Sequence, residues 1–301
     1  MNHLIRQMGY VIIQCPDPEA CAVDLSRIIG PRVTRRESGL VMLSCNDRLC
    51  EVAYRPGPSG GARVIGLEAM GAACLAEARR RVAERNLPVL SDRPSLPGVD
   101  GGFRFDTGCG PILEVHLPIE RSQARTYPGA AARPIRLDHV NCKLRNPGGF
   151  ADLLTGILGL RVSDRTADSS AVWLRAWDGY HHTVAVGAST EDRLHHYGFA
   201  VPAVDDLVTV ADGLDLSGRD LLWGPGRHGA GDNVFTYYLD PCGCVVEASY
   251  GMARIENDDA YQIPDWRHER PGRMRNRWGS ASSDSYFAAG LQYLPASEET
   301  E

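Results

Sequence analysis

The feature that most constrains the fold is an internal repeat. The stretch GYVIIQCPDPEACAVDLSRIIGPRVTRRE, which starts at Gly9, aligns without gaps with DHVNCKLRNPGGFADLLTGILGLRVSDRT, which starts at Asp138. Gly30 then falls on Gly159, and both pairs of positions differ by 129. Self-similarity over such a distance indicates a duplicated structural unit. We therefore expect two halves with the same order of strands and helices.

Each copy is predicted to begin with a strand and to continue into a helix. Asp17 in the first copy and Asn146 in the second suit the N-cap, because their side chains accept hydrogen bonds from free N–H groups of the first turn. A proline follows each of them, at a position where its missing N–H costs nothing. Gly30 and Gly159 tolerate the positive φ with which many helices end, and another strand is expected after each.

A second unit follows in each half, with one-residue gaps in the alignment. The segment 62–70 matches 194–201, and helices are predicted near 69–86 and 203–214. A short turn with an Asp and a Gly then indicates a hairpin in each half. Each half is thus expected to hold two strand–helix–three-strand units. The matching hairpin segments are 103–115 and 237–248, and the matching glycines are Gly66 and Gly198.

Two histidines and one glutamate lie on equivalent strands of the second half. His139 is on its first strand, His196 is on the equivalent strand of the next unit, and Glu247 is on the last strand. His195 is the alternative to His196, but Leu194-His195-His196 repeats the Leu-x-His pattern that ends at His139. Two imidazoles and one carboxylate on one face of a curved sheet form a facial triad. Such a triad leaves open positions on a metal ion and suits Fe(II).

The first half has kept only one of these three side chains. Its equivalent positions are Tyr10, Val64 and Glu114. A single histidine on a strand is usually structural, whereas an unpaired carboxylate is costly to bury in an apolar strand. Because three such residues coincide at equivalent strands of the second half, we predict that this half binds the metal and is the catalytic one.

The composition argues against several other classes of protein. The formal net charge is −6 and no basic stripe alternates with aromatic residues, so a nucleic-acid partner is not expected. No apolar run approaches the ~18 residues that span a bilayer, and the N-terminus lacks a secretory pattern, so no membrane partner is expected. The nine cysteines form no paired Cys-x-x-Cys pattern, which favours reduced thiols in a cytoplasmic protein.

Five short motifs occur in a fixed order: LDHV, HHT, LHHYGF, GRHGAGDN and FTYYLDPCGCVVEASYG. In this order they resemble the type I extradiol dioxygenases of the vicinal oxygen chelate superfamily, over about residues 5–255. The resemblance implies an α+β fold of two domains, each of paired strand–helix–three-strand modules that form a curved, partly open mixed barrel. It also implies an enzyme that opens a catechol-type ring with O2 and Fe(II), with Mn(II) as the alternative metal. The same resemblance implies a homo-oligomer.

The expected domain boundaries follow the repeat. Residues 1–120 are predicted to form a non-catalytic domain, and residues 134–255 the catalytic, metal-binding domain. The segment between them, 119–134, is rich in Ala, Arg, Gly and Pro and is typical of a linker. Residues 256–301 show little periodicity and are expected to form a wrapped or mobile tail.

The resemblance assigns three further residues by their position in the motifs. His182 matches a histidine that faces O2 and acts as acid and base. His228 matches a histidine near the substrate hydroxyl, and Tyr237 matches a tyrosine that hydrogen-bonds the catecholate. Tyr238 is the alternative to Tyr237, but neighbouring residues on a strand point to opposite faces. His181 is expected to be solvated or structural.

The chain departs from the family pattern in two places. Asn141 stands where relatives often have a small apolar residue near the O2 site. Residues 229–231, Gly-Ala-Gly, replace polar residues of some relatives, and Asp232 or Asn233 is expected to supply the missing polar contacts. These departures bear on the identity of the substrate more than on the chemistry.

Two other functions remain open on the same scaffold. A glyoxalase-like isomerase or lyase typically completes its metal site with a fourth protein ligand, often from the other module, and Tyr10 and Val64 supply no histidine. A non-enzymatic ligand-binding protein needs no metal triad. A yellow product from a catechol and Fe(II) in air distinguishes the dioxygenase from both.

Overall fold

Two strand–helix–three-strand units make up the first half of the chain. The structure is a computed structural model that describes residues 3–124, 131–270, 272–279 and 281–295, so residues 125–130 of the predicted linker lie outside the described residues. The elements of the first half are β1 (Ile5–Cys15), α1 (Pro18–Ile28), β2 (Arg32–Glu37), β3 (Leu40–Ser44), β4 (Val52–Pro56), β5 (Gly61–Ala69), α2 (Ala72–Glu84), β6 (Val89–Ser91), β7 (Gly102–Asp106) and β8 (Ile112–His116).

The second half repeats the same order of elements. The helix of its first unit continues into a π-helical stretch, Leu154–Leu158, before Gly159 ends it with a φ of 71°. The elements are β9 (Arg136–Leu144), α3 (Pro147–Leu153), β10 (Arg161–Arg165), β11 (Ala171–Arg175), β12 (Val184–Ala188), β13 (Arg193–Val201), α4 (Val204–Asp215), β14 (Trp223–Arg227), β15 (Val234–Leu239) and β16 (Val245–Tyr250).

Each half forms one mixed sheet, and the strand order is the same in both. It is β2-β3-β4-β1-β5-β8-β7-β6 in the first sheet and β10-β11-β12-β9-β13-β16-β15-β14 in the second. The first strands of the two units lie antiparallel at the centre, and each pairs in parallel with the last strand of its own unit. The edge strands do not pair with each other in the described part of the chain, so the sheets stay open. The predicted α+β fold of paired modules in partly open barrels is confirmed.

The caps predicted from sequence are present in the first unit of each half. Asp17 accepts a hydrogen bond from the N–H of Ala20 at 2.9 Å, and Asn146 accepts one from Gly149 at 3.0 Å. The helix predicted near 69–86 begins later, at Ala72, because Ala69 still pairs with Ile5 of β1. Strand pairing thus set a boundary that helical periodicity placed too early.

The described part of the tail lies against the rest of the protein. It contains a short helix, α5 (Asp284–Ala288), and a short strand, β17 (Leu291–Gln292), which pairs antiparallel with β13. The N–H of Leu294 donates to the carbonyl of Ala62 in the first sheet at 3.0 Å. The tail therefore touches both halves and covers one side of the second sheet. Among the residues described here, no helix is long and apolar enough to cross a membrane.

Buried polar contacts also join the two sheets directly. The hydroxyls of Tyr54 and Tyr197 lie 2.9 Å apart, and the N–H of Leu137 donates to Glu51 Oε1 at 2.9 Å. A continuous apolar core runs through both halves. The division into domains 1–120 and 134–255 with a tail from 256 stays a prediction, because the sheets share this core.

Candidate active site

The three residues predicted as metal ligands lie together on one face of the second sheet. His139 Nε2 lies 2.9 Å from Glu247 Oε2 and 3.3 Å from His196 Nε2, and His196 Nε2 lies 3.2 Å from the same carboxylate oxygen. All three side chains are buried. Ligand atoms on one face of an octahedron with bonds of about 2.1 Å lie roughly 3 Å apart. The donor set therefore fits a divalent ion that keeps open positions.

Asp138 fixes the tautomer of the first of these histidines. Its Oδ1 lies 2.7 Å from His139 Nδ1, and both groups are buried. Because a carboxylate only accepts, Nδ1 carries a hydrogen, so the neutral imidazole has its lone pair on Nε2, which faces the cluster. An outer carboxylate that orients a histidine in this way is common around metal ligands.

A chain of two contacts fixes the tautomer of the second histidine. The carbonyl of Tyr286, in α5, lies 2.8 Å from His195 Nε2, so this nitrogen must donate. His195 Nδ1 is then an acceptor, and it lies 2.7 Å from His196 Nδ1, which donates to it. His196 Nε2 is left with a lone pair that faces Glu247. His195 thus orients His196 and is not itself part of the cluster.

Asn233 orients the carboxylate. Its Nδ2 lies 3.1 Å from Glu247 Oε1 and 2.8 Å from Ser249 Oγ, which leaves Oε2 to face the two imidazoles. Asp232, the alternative expected from sequence, instead pairs with the guanidinium of Arg227 at 2.6 Å. Of the two residues, only Asn233 reaches the site.

A glycine makes room for the cluster in the neighbouring strand. Gly198 of β13 lies opposite His139 of β9 and beside Glu247 of β16. A Cβ at this position would overlap the imidazole of His139. Glycine stands at both Gly66 and Gly198 because a side chain from the facing strand lies against the backbone there, Tyr10 in the first half and His139 in the second.

Burial and charge set the protonation states around the cluster. Burial lowers the pKa of His196 to about 4, and burial together with the charge of His139 lowers the pKa of His182 well below its usual range. Burial opposes ionisation of Glu247, but His139 and His196 outweigh it and hold the pKa of this carboxyl well below normal. Burial also lowers the pKa of His139, yet Asp138 and Glu247 raise it to about 10. The carboxylates therefore favour a positive charge at the centre of the cluster.

His182 lies beside the cluster in the loop before β12. Its ring centroid is 4.6 Å from that of His139, and the two rings meet edge to face. His182 Nδ1 lies 3.1 Å from His181 Nδ1, and His181 Nε2 lies 3.7 Å from Asp164 Oδ2. His181 is buried, so of the two expectations for it the structural one fits.

Tyr237 and His228 form a short relay on another side of the cluster. The carbonyl of Arg275 lies 2.5 Å from His228 Nδ1, so that nitrogen donates. His228 Nε2 is then free to accept from the hydroxyl of Tyr237 at 2.9 Å. Burial keeps the pKa of Tyr237 well above its usual range, so this hydroxyl holds its proton. Tyr238 points into the main apolar core instead, as alternation along β15 requires.

A cavity of about 250 Å³ opens beside these groups. His196, His228 and Tyr237 line it, together with Asn141. The tail also contributes to its lining. Asn141, the departure noted in the sequence, is therefore a residue of the cavity. The tail residues that line it are Met274, Arg275, Tyr286 and Phe287.

The structure thus places all six predicted site residues within one region, while sequence reasoning missed several of their supports. Asp138 directly precedes the predicted ligand His139, so its position in the sequence could have indicated that it orients this histidine. The carbonyls of Tyr286 and Arg275 gave none, because backbone atoms have no sequence signature and the tail shows no periodicity.

Comparison with known proteins gives relatives that are named metapyrocatechase or biphenyl-2,3-diol 1,2-dioxygenase. No family model matches the chain. It is 32% identical over 209 residues to metapyrocatechase 2 of Cupriavidus necator, covering 64% of this chain and 65% of that protein, slightly under two thirds of its length. It is 25% identical over 296 residues to biphenyl-2,3-diol 1,2-dioxygenase of Metapseudomonas furukawaii, covering 92% of this chain and 94% of that protein.

Solved structures share the whole fold. Homoprotocatechuate 2,3-dioxygenase from Arthrobacter globiformis superposes with a TM-score of 0.87 at 21% identity, covering 98% of this chain and 94% of that one. The Mn(II)-bound glyoxalase from Novosphingobium aromaticivorans superposes with a TM-score of 0.83 at 24% identity, covering 97% and 96%. At identities this low, the similarity shows only that the fold is shared.

Proposed function

We propose that the chain is an extradiol dioxygenase of the vicinal oxygen chelate superfamily and that it opens a catechol-type ring beside its hydroxyls with O2. The observation that carries the proposal is the buried triad of His139, His196 and Glu247, with His182 against His139 and with a cavity that His196, His228 and Tyr237 line. Such a site has both the open metal positions and the acid and base groups that ring cleavage needs.

We propose that His139, His196 and Glu247 hold Fe(II), with Mn(II) as the alternative. Both suit nitrogen and carboxylate donors, and the relatives and fold neighbours include manganese proteins. A divalent ion held there acidifies the catechol hydroxyls as a Lewis acid and brings the catecholate and O2 together. The contacts of Asp138, His195 and Asn233 keep the three donor atoms in place for it.

Tyr237 and His228 are proposed to take up the proton that the catechol loses. His228 Nε2 already accepts a hydrogen bond from the hydroxyl of Tyr237. A catechol hydroxyl next to Tyr237 can therefore pass its proton through that hydroxyl to His228, whose other nitrogen stays bonded to the carbonyl of Arg275. Tyr237 then donates a hydrogen bond to the catecholate oxygen.

His182 is proposed to serve the oxygen side of the reaction. It lies next to His139, and burial keeps its imidazole neutral near pH 7. It can hold a proton during the oxygen steps and return it to the product. His182 is thus a proton carrier in addition to the Tyr237–His228 pair.

The glyoxalase-like alternative lacks its usual fourth ligand in the described residues. The cluster there contains three groups, and the first-half counterparts Tyr10 and Val64 lie in an apolar core. A homo-oligomer and a cytoplasmic setting complete the proposal. All nine cysteines are free, as expected of a reducing compartment.

The test is O2 uptake by the protein loaded with Fe(II) under nitrogen and then mixed with a catechol in air. One O2 consumed per catechol, with a yellow ring-opened product, supports the dioxygenase. Metal-dependent isomerisation of a thiohemiacetal without O2 uptake would instead support the glyoxalase-like enzyme. Tight binding of an aromatic ligand without turnover or metal dependence would support the binding protein. Either of these two outcomes overturns the proposal.

A further inference from the structure

A lysine lies on the same strand face as the first metal-ligand candidate. His139, Asn141 and Lys143 alternate along β9, so their side chains point to one side of the sheet. At about 3.3 Å per residue, Lys143 starts roughly 13 Å from His139. Both Asn141 and Lys143 line the cavity. The cavity thus runs from the metal cluster past an amide to a cation.

Beyond the cluster, residues that pair across β9, β12 and β11 form two successive rows, which we call layers, along the cavity. In the first layer Asn141 pairs with Ala185, which pairs with Trp173. An aromatic side chain and an amide suit the edge and face of a catechol ring. This layer is where the carbon skeleton of the substrate is expected to lie.

The second layer, next to Lys143, has room for a substituent. Lys143 pairs with Gly187, and Gly187 pairs with Ala171. A Cβ added at Gly187 would meet nothing within 4 Å. Small residues on the neighbouring strands therefore leave open space beside Lys143.

The cations at this end of the cavity lack an anionic partner. No carboxylate of the described residues lies within ion-pair distance of Lys143 or Arg275, whereas the neighbouring Arg193 pairs with Glu191. Burial, Arg275 and Arg193 all lower the pKa of Lys143, to about 8. Each of these influences disfavours the charged form of Lys143, and a bound anion would favour it.

The ammonium group of Lys143 also has a structural contact. Its Nζ donates to the carbonyl of Phe287 at 2.7 Å, at the end of α5, where cations are favourable. Arg193 makes the same kind of contact with the carbonyl of Ala288. The same Nζ lies 4.8 Å from the ring centroid of Phe287 and 5.7 Å from that of Tyr286. Capping of α5 uses one of the three donors of Lys143, and neither the carbonyl nor the rings supply the anion that would pair with its charge.

We propose that the cavity selects catechols that carry a carboxylate on a short arm, and that Lys143 binds this carboxylate with Arg275 at the mouth. The inference rests on the proposed ring cleavage, because the metal end of the cavity fixes the two hydroxyls and so directs the arm toward Lys143. A carboxylate bound to an ammonium group in a half-buried site gains a charge-assisted hydrogen bond.

The experiment compares each acid with its neutral ester. The substrates are 3-(3,4-dihydroxyphenyl)propanoate and 3-(2,3-dihydroxyphenyl)propanoate with their methyl esters, each assayed with the Fe(II)-loaded protein. We expect kcat/KM for at least one acid to exceed that for its ester by roughly tenfold or more. Lys143→Met should remove this preference through a higher KM for the acid, with a smaller change for the ester.

Arg193→Met is the matched control for the structural contact. It removes a cation from the same end of α5 without removing one from the cavity. The control should keep the preference for the acid. Equal kcat/KM for both acids and their esters in the unchanged protein, or an equal loss of preference in Lys143→Met and Arg193→Met, would overturn the proposal.

Binding without turnover separates this proposal from the ring-cleavage proposal. Calorimetry under nitrogen measures the affinity of the protein for each acid and ester whether or not the ring is opened. Tighter binding of an acid that Lys143→Met abolishes supports the anion site even if no catechol is cleaved. Ring cleavage with no difference in binding between acid and ester leaves the dioxygenase intact and contradicts the anion site.

Discussion

The two halves share the same fold, and both have a glutamate at one position of the last strand. The surroundings of this glutamate differ between the halves. Glu114 and Glu247 lie at the same position of the last strand, each beside a glycine of the central strand. Glu114 accepts a hydrogen bond from the hydroxyl of Tyr10 and others from the N–H and hydroxyl of Ser95. Glu247 faces two imidazoles instead. The fold therefore supports either arrangement, and the side chains on the facing strand decide which one forms.

The same burial has opposite consequences for these two carboxyls. Burial raises the pKa of Glu114, and its hydrogen bonds only partly compensate. Around Glu247 the charge of His139 and the hydrogen bonds of His139 and His196 reverse the effect and hold its pKa well below normal. A buried carboxyl is thus a structural hydrogen-bonding group in one sheet and an anionic ligand candidate in the other.

The space in front of each carboxyl differs as well. In the first sheet an apolar cluster fills the concave side. In the second sheet the equivalent region opens into the cavity and is bordered by aromatic residues of β14, β15 and the tail. A duplicated fold thus keeps one half filled for stability and the other open for ligands. Members of the filling cluster are Tyr10, Ile12, Met42, Leu49, Val64 and Leu96.

The largest expected effect comes from exchanging each glutamate for its amide. Glu247→Gln should lower metal content and ring cleavage by more than the roughly 10–100-fold that outer contacts of a metal site cost, because an anionic donor is lost. Glu114→Gln should leave both nearly unchanged. Metal analysis after dialysis and O2 uptake measure the difference. Equal loss in both variants would end the functional distinction between the halves.

A second contrast concerns His182 and its counterpart. The N–H of Val140 donates to the carbonyl of Thr183, and in the first half the N–H of the equivalent Val11 donates to the carbonyl of Glu51. Because His182 and Cys50 each directly precede the accepting residue, they occupy equivalent positions. His182→Asn should slow turnover by about 10²–10⁴-fold, since a proton carrier is lost, with little change in catechol affinity under nitrogen. Cys50→Ala should leave turnover intact. A parallel fall in affinity and turnover in His182→Asn would contradict the role.

The two matching glycines give a smaller and more structural contrast. An added Cβ at Gly198 would overlap the imidazole of His139, whereas one at Gly66 would lie 2.7 Å from the ring of Tyr10. Gly198→Ala should weaken metal binding by about 10–100-fold, through a displaced ligand. Gly66→Ala should cost about 1–3 kcal/mol of stability and leave the metal affinity of the folded protein unchanged. Metal titration and chemical denaturation of both variants test this.

The last contrast concerns stability and its pH dependence at the place where the halves meet. Burial raises the pKa of Asp240 from about 3.8 to about 7, next to the Tyr54–Tyr197 contact between the sheets. The folded state therefore holds a proton that the unfolded chain has lost, and this contribution to stability is present below pH 4 and lost as the pH rises through 7.

Asp240→Asn removes that titration. Between pH 5 and 8 its free energy of unfolding should fall less than that of the unchanged protein, by at most roughly 2–3 kcal/mol. Chemical denaturation at the two pH values measures this difference. Identical pH dependence in the two proteins would show that Asp240 ionises normally in the fold. The metal site should be unaffected, since Asp240 lies at the junction of the sheets.

The sequence by itself determined the duplicated architecture and the identity of the central side chains. Capping residues, glycines and apolar strands repeat at fixed spacing, and local physics translates such a pattern into the same elements twice. His139, His196 and Glu247 were recognisable because the other copy lacks the two imidazoles. That contrast needs no coordinates, since it compares a chain with itself.

The tertiary structure alone decided which atoms support those side chains. The carbonyls of Tyr286 and Arg275 set the tautomers of His195 and His228, although the tail that carries them shows no pattern in sequence. The place of Lys143 in the cavity likewise depends on the register of β9 and β12. Such contacts join residues far apart in the chain through backbone atoms and packing, which residue types and their spacing do not encode.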